Sequence, residues 1–458
     1  MHRSLSLAFL LIAGPALAQT PPSGPAPARP TVTPLDVPDL PLGQAVYPGG
    51  KSLRLNLGLG SAAFRSPSDP PGVIWTLTDR GPNIDCGDAP ERITGLTADV
   101  ICAGDKSAKS FPLPGFAPSI VKLQVGPGDA VAVLERIPLK GRSGKAITGL
   151  PNPLKSIRME AAYDSSGRRR PEDPSGVDPE GLVRLSDGSF WIAEEYGSSI
   201  LEVAPDGTVR RRLVPAGLEA EYAGADYEIA GLLPAIIAKR QLNRGLEGLA
   251  LSPDGARLFA LMQSPLANPD TAAFAAGANA RLWRIERGED GGAFGRVTGQ
   301  FLYPMDAPAT FRADAAAGAA RRQSDVRMSE VVALSAQRLI VLERINLTTK
   351  LYLVDLASGT PVPAAFDDPA RSPSLEQLSP ADLAAQGLRP LEKTLLLDSD
   401  DLGGMLAQIL PAQILPAKVE GVAVMSEREL ILVTDSDFGV EGAATRMLRV
   451  TFAEPVLR

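Results

Sequence analysis

Short apolar runs rich in Val, Leu and Ile recur along the chain and are separated by turns of the Asp-Gly type. Two such turns are Leu185-Ser186-Asp187-Gly188 and Ser252-Pro253-Asp254-Gly255. Short apolar runs bounded by turns of this kind are typical of antiparallel strands and not of helices. The pattern therefore predicts an all-β protein.

The predicted strands group into sets of four, and four of these sets begin at a glutamate. Each glutamate opens a short apolar run, followed by a turn and a longer run that ends in a polar or acidic residue. The glutamates are Glu180, Glu247, Glu330 and Glu420. An opening set over residues 60–135 lacks the glutamate, so five sets are counted, and a sixth could lie in the irregular parts. This repetition predicts a β-propeller of four-stranded antiparallel blades.

One propeller domain is expected over residues 49–455, closed into a ring by a strand from near the amino terminus. The last set has three strands, and Leu53–Leu57 could supply its fourth. Insertions interrupt the pattern near residues 216–242, 305–326 and 358–393. The first has helical character, and the third is Pro-rich with a helix expected near Ala381–Gln386. The insertions could cover or shape a pocket on one face, or they could have no function.

The first residues predict an exported protein. A short positive start is followed by an apolar stretch from Leu5 to Ile12 and by Ala16-Leu17-Ala18. This is the pattern of a cleavable signal peptide, here over residues 1–18. Residues 19–48 are Pro-rich and predict a flexible lead. No later run approaches the ~20 apolar residues of a transmembrane helix, so we expect a periplasmic or secreted protein.

His2 is the single histidine of the chain, so removal of the signal peptide would leave none. That excludes Ser-His-Asp and Cys-His catalytic sites, a His-ligated zinc and a histidine-phosphate mechanism. The formal net charge of −7 argues against nucleic acid or an anionic membrane as the main partner. It fits a protein that binds cations.

The two cysteines, Cys86 and Cys102, lie close together in a loop-like region. In an exported chain a disulfide is the leading interpretation. Closing so short a loop would stabilise the fold by about 3 kcal/mol. A metal-binding or nucleophilic role is the alternative, for which no histidine partner would be present.

Propeller geometry brings acids from two places to one face. If a glutamate begins the first strand of a blade, the antiparallel second strand ends beside it. The acids expected at the ends of second strands are Asp79, Glu195, Glu343, Asp435 and Asp437. Converging carboxylates repel one another unless a cation is present, and Ca²⁺ takes six to eight oxygen ligands. Alternatively, each glutamate only caps its own blade through backbone N–H groups.

Three arginines are expected beside these acids at strand ends, namely Arg80, Arg136 and Arg344. The planar guanidinium fork suits phosphate or carboxylate oxygens. A divalent cation that activates water, next to arginines that hold developing charge, is the outline of a phosphoester site. The alternative is ion pairing between blades, which needs no ligand.

Several motifs in one order resemble the phytase-like ("esterase-like activity of phytase") family. They are Asp178–Gly181, Phe190–Gly197, Asn243–Ala250, Met262–Leu266, Leu342–Arg344, Glu420–Val422 and Thr434–Gly439. The resemblance covers roughly residues 50–452 and implies an exported propeller-like protein related to phosphoester hydrolases. Two departures affect the ligand set: Ser436 stands where an Asn often lies, and the Ser329-Glu330-Val331 motif lacks the usual Gly.

The leading hypothesis is a Ca²⁺-dependent phosphoester hydrolase in which the four recurrent glutamates bind metal or orient water. The acids at second-strand ends would support the metal, and the three arginines would hold the phosphate of a small-molecule substrate. One alternative is a metal-dependent lactonase or carboxylesterase, which also needs a cation and an acid base. Another is a non-catalytic binding propeller stabilised by calcium, with the insertions contacting a protein partner.

Overall fold

A computed structural model of the chain describes residues 29–288, 292–402 and 418–458. The predicted signal peptide of residues 1–18 lies outside these ranges. Within them, no helix is long and apolar enough to cross a membrane.

The described residues are built mainly from strands. In chain order the first thirteen strands are β1 Thr31–Pro34, β2 Pro41–Val46, β3 Ser52–Asn56, β4 Ala62–Phe64, β5 Val73–Leu77, β6 Ile84–Asp85, β7 Lys109–Ser110, β8 Ser119–Val125, β9 Val131–Pro138, β10 Ala162–Tyr163, β11 Pro179–Arg184, β12 Phe190–Glu194 and β13 Ser199–Val203. The remaining strands are β14 Val209–Pro215, β15 Glu228–Leu233, β16 Leu246–Leu251, β17 Arg257–Met262, β18 Asn279–Arg287, β19 Phe294–Pro304, β20 Arg327–Ala333, β21 Arg338–Arg344, β22 Thr349–Asp355, β23 Lys393–Asp398, β24 Val419–Ser426, β25 Glu429–Thr434 and β26 Met447–Thr451.

Helices are short and lie in the connections. The α-helices are α1 Pro90–Thr94, α2 Ala98–Ile101, α3 Thr271–Ala276, α4 Arg312–Ala316 and α5 Pro380–Ala385. Single turns of 3₁₀-helix cover Glu219–Tyr222, Ala235–Lys239, Pro308–Thr310, Gln323–Asp325, Leu356–Ser358, Ala364–Asp367, Leu375–Gln377, Ser399–Asp401 and Asp437–Gly439.

The long strands form five sheets within the described residues. Sheet 1 has the order β4-β5-β8-β9, sheet 2 β11-β12-β13-β14-β15, sheet 3 β16-β17-β18-β19, sheet 4 β20-β21-β22-β23, and sheet 5 β24-β25-β26-β1. Pairing is antiparallel except between β14 and β15, which are parallel. The first strands contact one another in a ring, in the order β4, β11, β16, β20, β24 and back to β4. The predicted all-β propeller of four-stranded antiparallel blades is confirmed.

The apolar core lies between the sheets. Successive side chains of a strand point to opposite faces of its sheet. In β11, Leu182 therefore packs against sheet 1, whereas Val183 packs against sheet 3. Comparable clusters fill the spaces between sheets 3 and 4, 4 and 5, and 5 and 1. Because both faces of each sheet are covered, the strands read as continuous apolar runs.

The ring is closed by an amino-terminal strand, as predicted, but a different one. Thr31–Pro34 pairs with β26 and places Val32 in the core between sheets 4 and 5. Leu53–Leu57, the predicted closing strand, instead contributes β3, which pairs with β2 in a separate hairpin. Residues 31–46 were expected to belong to a flexible lead. The prolines in this segment obscured the alternating pattern of a strand. An edge strand tolerates proline, because its outward-facing N–H groups need no ladder partner.

The second and third insertions contain short helical elements. Residues 305–326 hold α4 and two 3₁₀ turns, and the third insertion contains α5 where a helix was expected. In the first insertion, however, Leu232 and Leu233 lie in strand β15 and not in a helix. That strand pairs with β14 and extends sheet 2, where Leu233 is buried and Leu232 is exposed.

A cap lies between the second and third strands of sheet 1. We define it as residues 83–110, which contain β6, α1, α2 and β7. A disulfide joins Cys86 and Cys102 within it, as predicted. The two cysteines share an apolar cluster with residues of the β2-β3 hairpin, so the amino-terminal hairpin supports the cap.

Candidate functional site

Three of the recurrent glutamates lie at β-bulges at the beginning of first strands. In sheet 2, Pro179 pairs with Glu194 and Gly181 with Ala193, so Glu180 between them has no partner across the ladder. Glu247 and Glu420 occupy the same kind of irregularity in sheets 3 and 5. A bulge re-aims the side chain of its extra residue. These three carboxylates line one cavity at this end of the ring.

The glycine after each of these glutamates allows neighbouring first strands to approach. A Cβ on Gly181 would lie 2.7 Å from the backbone nitrogen of Leu249 in the next sheet. On Gly248 it would lie 2.9 Å from the backbone nitrogen of Val331. The Glu-Gly pairs thus combine a side chain that lines the cavity with a packing requirement, which explains why both residue types recur together.

The cavity, which we call the acidic cavity, has a volume of about 340 Å³ and is lined almost wholly by polar side chains. Its nine carboxylates are Asp79, Asp85, Asp178, Glu180, Glu195, Glu247, Glu420, Asp435 and Asp437. Its six cations are Arg80, Lys109, Arg244, Arg327, Arg344 and Lys418. Because the carboxylates outnumber the cationic side chains, a bound divalent cation would reduce the negative charge of the cavity. The cap contributes Asn83, Asp85 and Lys109 to its wall.

Glu330 does not join the other glutamates in this cavity. Its sheet has the bulge one residue earlier, because Met328 pairs with Glu343 and Glu330 with Leu342. Ser329 therefore takes the place of the glutamate, and Glu330 that of the glycine. Its carboxylate is buried and accepts hydrogen bonds from the backbone N–H of Ala63 (3.3 Å) and its neighbour Val331 (3.0 Å).

Glu343 also lies outside the cavity, whereas its neighbour Arg344 lines it. Adjacent residues of a strand point to opposite faces. Glu343 accepts a hydrogen bond from the Tyr303 hydroxyl at 2.6 Å and pairs with Lys393 between sheets 3 and 4. The positions that do reach the cavity at or just after the ends of second strands are Asp79, Glu195, Gln263, Arg344 and Asp435.

Arg136 is not brought to the site. It lies on β9, the outermost strand of sheet 1, where its side chain is exposed. Its Nε donates to the Ser119 hydroxyl at 3.1 Å, and its guanidinium lies 5.5 Å from the centre of the Phe116 ring. The Glu-Arg step that it shares with Glu343-Arg344 belongs to a fourth strand and not to a second strand.

A group of three carboxylates can hold a metal ion on one side of the cavity. Ligand oxygens of Asp79, Asp178 and Glu180 all lie within 4.8 Å of one another. Three carboxylate oxygens in the cavity are buried and have no hydrogen-bond partner: Asp178 Oδ1, Glu195 Oε1 and Glu247 Oε2. Burial together with the charges of Glu247 and Asp79 raises the pKa of Glu180 well above its usual range. Unsatisfied buried carboxylate oxygens of this kind fit a hard cation.

Three arginines form a cationic group in the same cavity: Arg244, Arg327 and Arg344. Arg344 donates from Nε to the Ser329 hydroxyl at 2.8 Å and pairs with Glu420. Arg244 donates to Gln263 Oε1 at 2.7 Å. Burial and the neighbouring charges of Arg244 and Arg344 lower the pKa of Arg327 to about 9. Its Nε is buried without a partner, so this group can accept an anion.

Arg80 links the three-carboxylate group to Glu160 and Tyr196, which do not line the cavity. It pairs with Glu160 at 2.9 Å and with Asp178 at 3.4 Å, and its guanidinium lies 4.6 Å from the centre of the Tyr196 ring. These contacts hold the Asp178 carboxylate in place. Arg80 Nη1 is buried without a partner and remains available to a ligand.

Asp435 and Asp437 lie on a third side, next to Lys418. The Lys418 ammonium pairs with Asp437 and lies 4.0 Å from Asp435. Burial, together with Asp437 and Glu420, raises the pKa of Asp435 well above its usual range. Burial opposes ionisation of Asp437 too, but Lys418 lowers its pKa.

Sequence reasoning missed Asp178, Arg244 and Arg327 as site residues. A signal for the arginines was present, because each stands three residues before a recurrent glutamate, in Arg244-Gly245-Leu246-Glu247 and Arg327-Met328-Ser329-Glu330. Asp178 was part of a recognised motif but precedes its strand, so strand periodicity gave no reason to place it in the cavity.

Comparisons with known proteins give distant similarities. An "Uncharacterized secreted protein" of Arthroderma benhamiae is 24% identical over 239 residues, which are 46% of this chain and 44% of that protein. The chain thus matches less than half the length of this relative.

Solved structures also align at low similarity. The PQQ-bound aldose sugar dehydrogenase of Streptomyces coelicolor is 12% identical, with 93% of this chain and 99% of that chain covered, at a TM-score of 0.30. The RRP9 WD40 repeats are 12% identical over 89% of this chain and 99% of that chain, at a TM-score of 0.33. Such values carry no conclusion about function.

The match to a family model covers much more of the chain. The model of the phytase-like family, described as "Esterase-like activity of phytase", matches residues 58–438, which include all five first strands and the whole acidic cavity. The chain therefore belongs to the phytase-like family.

Proposed function

We propose that this protein is an exported, Ca²⁺-dependent phosphoester hydrolase. The observation that carries the proposal is the pairing, in one cavity, of a three-carboxylate group with a three-arginine group. Asp79, Asp178 and Glu180 supply hard oxygen ligands, and the unpartnered Nε of Arg327 marks a place for an anion. A phosphoester substrate needs both, because negative charge develops on the transferred group.

The residues present fit a calcium ion. Asp79, Asp178 and Glu180 would hold it, and the buried Oε1 of Glu195, which lacks a partner, remains for a further contact. When bound there, the cation would supply Lewis-acid stabilisation of the charge that develops on the phosphoryl group. Calcium is preferred to magnesium because it accepts a larger and less regular set of oxygen ligands.

The protein's own groups would position the substrate and move one proton. Arg244 and Arg327 would bind phosphoryl oxygens, while Arg344 is held in place by Ser329 and Glu420. Glu247, whose free Oε2 faces no hydrogen-bond donor, would accept the proton of the attacking water. The water oxygen would form a new bond to phosphorus as the ester P–O bond breaks, and the proton held by Glu247 would pass to the leaving oxygen, so that an alcohol and phosphate are released. Asp435 and Asp437 would support this site from the side of Lys418.

The wall of the cavity favours a phosphoester over an acyl ester or lactone. Leu242 is the one aliphatic side chain among its lining residues. An acyl chain would find no apolar surface there, whereas a phosphorylated polar molecule would find donors throughout. The substrate is accordingly proposed to be a small polar phosphoester.

Export is part of the same proposal. The amino-terminal pattern predicts a signal peptide, and the Arthroderma benhamiae relative is named a secreted protein. A disulfide is consistent with an oxidising compartment. We therefore place the protein in the periplasm or outside the cell.

The test is an assay of the metal-stripped protein with and without Ca²⁺ on phosphomonoester, phosphodiester and lactone substrates. We expect Ca²⁺-dependent turnover of a phosphoester, and a loss of about 100-fold or more in Glu180→Gln and Glu247→Gln. Glu330→Gln is the matched control, since it makes the same change to a buried glutamate outside the cavity and should keep activity.

Two results would replace the proposal. Turnover of the lactone alone would make the protein a lactonase or carboxylesterase on the same site. If no substrate turns over and Ca²⁺ only raises the melting temperature, the protein is a non-catalytic propeller stabilised by calcium.

A further inference from the structure

A second pocket lies at the opposite end of the ring from the acidic cavity. In β16, Glu247 lines the acidic cavity, whereas Leu249 and Leu251 further along the strand line this second pocket. We call it the far pocket. Its volume is about 410 Å³, within the range of about 300–1,000 Å³ that small-molecule sites span.

Glu330 lies between the two cavities and lines neither. Its carboxylate binds the backbone N–H of Ala63 and Val331, both of which line the far pocket. Because Glu330 on β20 reaches β4, which is not its neighbour in the ring, the hydrogen bond from Ala63 crosses the centre of the ring. The far pocket is therefore a separate site and not an extension of the acidic cavity.

The inner wall of the far pocket is apolar, and its rim is cationic. First-strand side chains such as Leu182, Leu249 and Val422 form the wall. Arg65, Arg184 and Arg287 lie at the rim. Asp254 is the single carboxylate among the lining residues, and it already accepts a hydrogen bond from Ser252 at 2.5 Å and pairs with Arg257 at 3.4 Å. Positive charge at the rim is therefore in excess.

Two of these guanidinium groups have an N–H donor without an acceptor. The Nε atoms of Arg65 and Arg184 are buried and lack hydrogen-bond partners. Arg184 is fixed in position, because its Nη1 pairs with Asp69 at 3.3 Å and its guanidinium lies 4.9 Å from the centre of the Trp75 ring. A buried donor without a partner destabilises the fold unless a ligand satisfies it.

We propose that the far pocket binds a small amphiphilic anion, with a carboxylate head on Arg65 and Arg184 and a short alkyl chain against the first strands. Charge complementarity specifies the head, since a guanidinium fork matches a carboxylate. The leucine and valine wall specifies the chain. This site is independent of the proposed phosphoester chemistry, because the acidic cavity offers no comparable apolar surface.

The probe is octanoate, titrated into the full-length mature protein by calorimetry, with 1-octanol and acetate as partial analogues. We expect octanoate to bind at least tenfold more tightly than either analogue, because only octanoate contacts both the rim and the wall. Arg65→Gln should weaken octanoate binding about tenfold. Arg136→Gln, which removes an exposed arginine that lines neither cavity, and Arg327→Gln, in the acidic cavity, should leave it unchanged.

A second variant keeps the proposal testable if Arg65→Gln does not fold. Ser186 is exposed at the rim, so Ser186→Asp adds a negative charge without disturbing the core and should also weaken octanoate binding. The proposal is overturned if octanoate does not bind, if octanol binds as tightly, or if Arg65→Gln and Ser186→Asp retain full affinity. Loss of binding in Arg327→Gln would place octanoate in the acidic cavity and would equally overturn it.

Discussion

At the scale of single residues, Arg327 is the cation of the acidic cavity whose charge is least compensated. Burial and two neighbouring arginines lower its pKa to about 9, and its Nε has no partner. Arg344, by contrast, is paired with Glu420, and Arg80 with Glu160 and Asp178. A bound anion would raise the pKa of Arg327 and supply its missing contact.

Removal of Arg327 should therefore weaken anion binding and change its pH dependence. Because the free group loses its proton as the pH rises through about 9, we expect the affinity of the wild-type protein for inorganic phosphate to fall above that pH. Arg327→Gln should bind phosphate about tenfold or more weakly at pH 7 and lack this alkaline fall. Calorimetric titrations from pH 7 to 10 measure both effects.

Arg136→Gln is the matched control, because it removes an exposed arginine outside the cavity. Its phosphate affinity and pH profile should equal those of the wild-type protein. An unchanged profile in Arg327→Gln would show that the phosphate does not contact this guanidinium.

Glu330 should make stability depend on pH. Burial raises the pKa of its carboxyl well above the ordinary value of 4.5, so the unfolded chain ionises first as the pH rises. The folded state therefore loses stability as the pH rises from about 4.5 to the pKa of Glu330 in the folded protein. The melting temperature of Glu330→Gln minus that of the wild type should become more positive from pH 4 to 8. A difference that does not change with pH would contradict burial in the protonated form.

At the scale of structural elements, the bulge at the start of each first strand decides which side chains meet. The recurrent Glu-Gly pairs predicted this position in sheets 2, 3 and 5, because residue type and register agree there. In sheet 4 the bulge falls on Ser329, and a repeat aligned on the glutamate is one residue out of register. A one-residue slip moves a side chain to the other face, which is why Glu330 and Glu343 were misplaced.

What could be predicted from the sequence follows from the same logic. Short apolar runs and Asp-Gly turns sufficed for the strands and their grouping. They did not suffice for Asp178 or for the closing strand, since both depend on contacts between residues far apart in the chain. Arg136 illustrates the same limit, because a two-residue motif does not specify which strand of a sheet carries it.

The close approach of neighbouring first strands makes Gly248 sensitive to any side chain. A Cβ there would lie 2.9 Å from both the backbone nitrogen and the Cγ1 of Val331. We expect Gly248→Ala to lower the free energy of unfolding by about 1–3 kcal/mol, measured by urea denaturation. Gly115→Ala is the control, because a Cβ at Gly115 meets nothing within 4 Å and its φ is not positive. Equal stability of the two variants would contradict the observed spacing.

At the scale of the whole molecule, the ring depends on a contact between the two ends of the chain. Thr31–Pro34 forms the outer strand of sheet 5, and Val32 is buried against sheets 4 and 5. The hairpin that follows supports the cap, which in turn contributes to the acidic cavity. Residues 31–46 of the segment expected to be a flexible lead are thus part of the fold.

Truncation should reveal this dependence. A mature chain that begins at residue 36 lacks β1 and should unfold at a lower temperature, because burial of Val32 and four ladder positions are lost. A chain that begins at residue 29 keeps the strand and should match the mature protein. Thermal unfolding followed by circular dichroism compares the two, and equal melting temperatures would show that β1 is dispensable.

The pairing of β1 with β26 also sets an order of events during synthesis. Thr31 and Thr451 pair although they lie about 420 positions apart. At roughly 5–20 residues per second, the first strand leaves the ribosome about 20–80 s before its partner has been made. Throughout that interval β1 has no strand to pair with, and sheet 5 is incomplete. The finished propeller can form only after β26 has been made, so a chaperone that keeps the early segment extended would act before the ring closes.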